Sequence, residues 1–227
     1  MATSPLAAPL RSIVHGALLA FVAGFVDVVG FLALFGLFTA HVTGNFVMIG
    51  VELVHTSQGV IAKLLALPAF IVAVAATKLA VSACQRRERS PVVPMLVLQA
   101  SLLTLFLVAG LAASPITSGD APLAILAGLS GVAAMGVQNA MSRLVLTDQV
   151  PTTIMTGNTT QAIIDLVDYF EHRTLENRPA GERLRKMIPA VAAFAAGAIL
   201  GAFAFAGTSF WCLLVPIAVL IGLALAI

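Results

Sequence analysis

The chain has 227 residues, 60% of them hydrophobic and only 10% charged, against about 25% charged in ordinary soluble domains. Its mean hydropathy of +1.05 reads as a polytopic membrane protein, and a net charge of only +2 excludes a strongly basic nucleic-acid surface. Cys84 and Cys212 form no CxxC pair and have no histidine at metal spacing, so both read as small core residues.

Residues 1–11 form a short lead with two prolines and Arg11. A first apolar span covers about 12–38, longer than the roughly 20 residues that cross a bilayer core. It is too long for a signal-peptide core and lacks a small-x-small cleavage site, so it is expected to be kept as a span. Residues 39–57 form a less apolar helical segment with Thr43, Asn45, Glu52 and His55. The second span, about 61–84, precedes the cluster Arg86, Arg87, Arg89, and the third covers 92–113. The loop 114–122 carries one acid, Asp120, and no Lys or Arg. A fourth span, about 123–146, leads into a second polar segment, 147–170, and then into 172–186 with Arg173, Arg178, Arg183, Arg185 and Lys186. Spans five (187–206) and six (209–227) are separated by a turn expected at Gly207.

Lys and Arg are retained on the cytoplasmic side. With six crossings and a cytoplasmic N-terminus, both basic loops fall inside and the base-free loop 114–122 falls outside. Eight crossings would put Arg86, Arg87 and Arg89 outside. The expected fold is therefore all-α: a single membrane domain over 1–227, a helix bundle of six transmembrane spans. The spans form two repeats, about 12–113 and about 123–227. Three crossings per repeat invert the second relative to the first, an architecture shared by many secondary transporters.

A duplicated polar pattern supports the repeat. Gly24-Phe-Val-Asp27, Thr43-Gly44-Asn45 and Glu52 are followed about 113 positions later by Gly136-Val-Gln-Asn139, Thr156-Gly157-Asn158 and Asp165. Each Thr-Gly-Asn turn is expected to mark a broken or re-entrant helix, because non-helical backbone at membrane depth survives only inside protein or against a wet cavity. Asn45 and Asn158 are candidates to cap the following helix, whose amides would then favour an anionic ligand.

Asp27 lies near the middle of span one, where an ionisable group costs roughly 3 kcal/mol on insertion scales. It reads as a coupling or binding carboxylate, or else as a carboxyl held for packing alone. Its repeat counterpart, Asn139, does not titrate. Arg143, one turn beyond Asn139, either pairs with Asp27 across facing repeats or snorkels from the end of its span. Glu52 with His55, and Asp165 with Asp168, each lie one turn apart, as ligands and relays or as the wet face of an interfacial helix. His41 has no histidine counterpart in the second copy, and the scattered histidines argue against a metal site. Gly128-Leu-Ser130-Gly131 resembles an intramembrane serine protease pattern, but 187–227 contains no histidine base. Gly197-x-x-x-Gly201 reads as internal helix packing.

The Gly24 to Gly30 run of span one and the paired Thr-Gly-Asn turns, the second reading Met155-Thr-Gly-Asn-Thr-Thr160, resemble the YoaK-like family of bacterial inner-membrane proteins. The resemblance covers nearly the whole chain and implies an inner-membrane setting with little about activity. The first copy reads Val42-Thr-Gly-Asn-Phe46, so contacts made by 159–161 need not be duplicated. The expected function is a small secondary transporter or permease, with proton coupling through Asp27 as an option. The alternative is a non-transporting scaffold or assembly partner with dry, mutually satisfied polar groups. No nucleophile–base pair is visible, so no enzyme and no cofactor are expected. The expected partners are the lipid bilayer and an unidentified small molecule or ion, with no nucleic acid and a homo-oligomer left open.

Overall fold

A computed structural model describes residues 7–54, 59–171 and 178–227; His55 and Arg173 lie outside them. The described residues form α1 (Ala7–Ala33), α2 (Gly44–Val54), α3 (Val60–Arg86), α4 (Val92–Ala113), α5 (Pro122–Leu144), α6 (Met155–Glu171), α7 (Arg178–Thr208) and α8 (Leu214–Leu225), with a 3₁₀ turn, Ser209–Leu213, ahead of α8. Five helical stretches are long and apolar enough to cross a bilayer: Ser12–Ala33, Val60–Arg86, Val92–Ala113, Pro122–Leu144 and Ala180–Leu225. Leu53, Val54 and Phe203 are 82%, 79% and 75% exposed, a surface that water penalises and lipid covers.

Two boundaries differ from expectation. Helix α7 begins at Arg178 rather than near 187, because Glu, Arg, Leu and Lys of the basic stretch are good helix formers. The chain also stays helical through Gly207 and breaks at Ser209, which takes a left-handed φ of 53°. Beyond that break α8 packs on α4 and on α1, burying Ile217, Leu220 and Leu223.

Helices α1 and α7 run parallel and in closest contact. A Cβ on Gly24 would strike the Phe194 carbonyl, one on Gly197 the Phe21 carbonyl, and Gly201 abuts Phe25. The Gly197-x-x-x-Gly201 pair therefore serves an internal crossing in which bare backbone lets two helices meet. Helix α5 runs antiparallel to α1, with Gly128 against Leu37 and the Gln138 amide on the Leu19 carbonyl at 2.8 Å. It also packs on α3 and α4, through Gly136 on Ala73 and Gly131 on Phe106. The Gly128-Leu-Ser130-Gly131 run thus packs helices, and the Ser130 hydroxyl donates to the Leu126 carbonyl at 2.6 Å.

These directions bring residues 86–89 and 183–186 to one end of the bundle and loop 114–121 to the other. At that second end Asp120 accepts from the amides of Gly59 and Ile61 at 3.4 and 3.2 Å, closing the start of α3. Four buried polar groups cross the middle of the bundle. Gln99 donates to Gln138 at 2.6 Å, and Gln138 donates to Leu19 and to the Thr152 hydroxyl at 2.8 Å each.

Candidate functional site

Helix α1 stops where Phe35 and Gly36 take positive φ values of 54° and 83° and the Gly36 amide donates to the Phe31 carbonyl at 2.9 Å, a Schellman-type end. The chain then turns back along α1, burying Leu37 and Thr39. Gly30 makes room: a Cβ there would sit 2.6 Å from Thr39 Cγ2. At 1.5 Å per helical residue, the return reaches roughly 9 Å below the end of α1, to the level of Asp27.

Backbone out of regular structure needs partners when buried, and Asp27 supplies them. Its carboxylate, only 6% exposed, accepts the amides of Thr39 and Ala40 on Oδ1 at 2.8 and 2.7 Å. Oδ2 lies 2.6 Å from His41 Nδ1. A carboxylate on Nδ1 fixes the ring and leaves Nε2 as the nitrogen available to a ligand or proton. The His41 side chain is 39% exposed, and its ring meets Phe194 edge-on at 5.5 Å.

The second copy repeats this bonding at the same separations. Asp27 binds His41 fourteen positions on, and Asn139 donates to the Thr153 hydroxyl fourteen positions on at 2.7 Å. Asn45 reaches back seven positions to Phe38, and Asn158 reaches back seven to the Pro151 carbonyl at 2.6 Å. The capping expectation is corrected here: neither asparagine side chain reaches forward to its own helix. The first amides of α2 are also occupied, since Gly44, Asn45 and Phe46 donate to the carbonyls of His41, Val42 and Thr43 at 2.7, 3.2 and 3.2 Å. They cradle no anion.

Two cavities flank the first return. One, of about 470 Å³, lies between the two breaks and is lined by His41 and Thr43 on one side and by Asn139, Thr153 and Thr156 on the other. The second, of about 560 Å³, lies between the first break and the α1–α7 pair and is lined by Asp27, Phe31, Phe38, His41, Thr43 and Phe194, among others. Both volumes fall in the range of small-molecule sites. His41 and Thr43 border both.

A family model described as a protein of unknown function (DUF1275) matches residues 15–226. The chain belongs to that family. No curated protein and no solved structure matches it.

In this DUF1275 protein the cavities gather Asp27, Thr43, Gly44, Asn139 and Thr156 from among the residues singled out in the sequence. Asn45, Gly157 and Asn158 shape the turns instead: Asn45 and Asn158 are buried, while Gly157 is exposed, and a Cβ there would only reach ordinary contact with Ile154. Arg143 is not brought to Asp27. It lies exposed in the last turn of α5, and antiparallel packing with Gln138 beside Leu19 sets the two roughly 20 Å apart along the bundle.

Glu52 and Asp165 stand away from both cavities and on no wet face. The Glu52 side chain is 3% exposed and pairs with Lys63, itself fully buried, whose ammonium also donates to the Phe35 carbonyl at 2.6 Å. Asp165, with a fully buried side chain, takes two bonds from Arg183 at 2.9 and 2.5 Å. The Arg183 guanidinium holds the Asp165 carboxyl below the usual carboxylate range. In each copy, then, the acid of the second helix ties it to the start of the next. Asp168 also has a partner, and among the described residues no group of histidine, cysteine and acids has metal-site geometry.

His41, Thr39, Thr153, Gln138, Lys63 and Arg183 were not recognised as partners from the sequence. The signal for His41 was weak but present: a histidine in an apolar stretch, placed to meet the mid-span acid only if the chain turned back.

Proposed function

We propose that this protein is a small proton-coupled secondary transporter of the bacterial inner membrane, with Asp27 and His41 as the coupling pair. The inner-membrane setting extends the resemblance to YoaK-like proteins. The carrying observation is that His41, held on Asp27, borders two separate cavities. An ionisable group inside a membrane bundle, reached from two cavities, is a candidate coupling residue.

The recurring fourteen- and seven-residue bonds, together with the antiparallel packing of α1 and α5, support reading the halves as inverted three-span repeats with re-entrant breaks. In such folds the site lies at the repeat interface, against discontinuous helices. The scaffold alternative predicts dry polar groups without a cavity, and two cavities of several hundred Å³ weigh against it.

The test is a reconstituted protein in liposomes with an internal pH dye and an imposed pH gradient, challenged in turn with amines, amino acids, organic acids and sugars. Wild-type protein is expected to dissipate the gradient with one class, and Asp27→Asn and His41→Ala to abolish the response. If either variant kept the full solute-driven proton flux, the pair would lose its coupling role.

A further inference from the structure

Resting on the transport reading above, we infer that the larger cavity binds a lipophilic organic cation. Charge decides the sign. Among the described residues that line the two cavities, Asp27 and His41 are the ionisable ones, and no Lys or Arg is present. Asp27 is compensated only while His41 holds its proton, so with His41 neutral an anionic substrate would meet an uncompensated carboxylate. At the larger cavity the helix start is that of α2, whose first amides are occupied by the carbonyls of residues 41–43.

The walls of the cavity decide the chemistry. Phe31, Phe38 and Phe194 surround the acid, with Phe31 and Phe38 ring centroids 4.9 Å apart and Phe194 5.5 Å from the His41 ring. Ring faces attract a desolvated cation through the negative face of their quadrupole. Carboxylate and aromatic rings together suit a quaternary ammonium or phosphonium better than a strongly hydrated metal ion. Phe31 on the cavity wall is 37% exposed, so a cation already dissolved in the apolar phase meets the site without crossing the bundle.

The same geometry makes proton and cation competitors. A proton on His41 cancels the charge of Asp27 beside it; without that proton the pair carries one negative charge. No other titratable side chain faces His41 from the packed elements: α7 presents Phe194, α3 presents Leu67 and Phe70, α5 presents Asn139, and the second break presents Thr153. Cation affinity therefore rises with pH.

The experiment uses the full chain in lipid nanodiscs with radiolabelled tetraphenylphosphonium, empty discs as the blank, and tetraphenylborate as a competitor of the same shape and opposite charge. Saturable binding above the blank is expected, displaced by unlabelled phosphonium and not by borate. Affinity should rise at least threefold between about pH 6 and about pH 9, a range wide enough to contain the titration of an imidazole beside a carboxylate. Asp27→Asn should weaken it about tenfold or more, and Phe38→Leu or Phe194→Leu roughly threefold, by removing ring charge while keeping apolar bulk. The leucine variants and the borate comparison decide the matter even where Asp27→Asn does not fold. Equal displacement by borate, absence of saturable binding, or unchanged affinity in folded Asp27→Asn would each overturn the inference. Charge-selective binding without phosphonium-driven proton release from proteoliposomes would uphold the cation site and remove transport. Proton flux driven by neutral or anionic solutes, without phosphonium binding, would do the reverse.

Discussion

Asn45 and Asn158 close equivalent loops by unequal means, and the cause is a single missing hydrogen. Asn45 Nδ2 donates to the Phe38 carbonyl and its Oδ1 accepts the Phe38 amide, both at 2.9 Å. Asn158 donates to the carbonyl of residue 151, but that residue is proline, which has no amide hydrogen to return. Losing two buried bonds costs about 2–3 kcal/mol and losing one about 1 kcal/mol. Asn45→Ala is therefore expected to lower the midpoint of denaturant-induced unfolding of the purified protein by roughly twice as much as Asn158→Ala. Equal losses, or the reverse order, would mean that the second bond at Phe38 contributes nothing. The sequence showed both asparagines as special but not where they point. An asparagine at a helix start ordinarily bonds forward to the helix; a bond back over seven positions carries no periodic signal.

At the level of elements, the short helices α2 and α6 are each tied to their successor by a buried acid. Asp165 accepts from Arg183 and also from the Gln161 amide at 3.0 Å. Because its folded carboxyl titrates below the unfolded one, its stabilising contribution is complete above the unfolded value, about pH 4, and is lost as pH falls through the lower folded value. Amide hydrogen exchange in α6 should accordingly stay protected at about pH 4 and rise below it, whereas Arg183→Gln should raise exchange already at neutral pH. Protection of α6 in Arg183→Gln equal to wild type would show that apolar contacts hold the helix. The apolar helices were readable because each is a long run of one residue class bounded by charge, and α4 falls at 92–113 as read. The acids of the short helices were readable as a repeat but not as ion pairs. Their partners, Lys63 and Arg183, sit 11 and 18 positions away in the sequence, and only the fold sets that distance.

For the whole molecule, the open quantity is how often the chain crosses, and the stretch Ala180–Leu225 decides it. Its 46 residues would measure about 69 Å as one straight helix, more than twice a hydrocarbon core of about 30 Å. A straight rod would also carry α8 away from the bundle, yet α8 packs on α4 and α1, and Phe210 stacks edge-on with Phe106 at 5.9 Å. The left-handed Ser209 is where a reversal fits. From there the 3₁₀ turn and α8 together span roughly 28 Å, about one core thickness. On the transport proposal this stretch crosses twice, which makes six crossings and sets residue 227 on the side of Arg86, Arg87 and Arg89. A fluorescent protein fused after Ile227 should therefore light up in the cytoplasm, while a phosphatase fused there stays inactive. Phosphatase inserted at Ser118, in the loop that carries no Lys or Arg, should be active outside. Phosphatase activity at Ile227 would reduce the count to five. The second half would then no longer mirror the first, and the inverted-repeat basis of the transport proposal would fall with it.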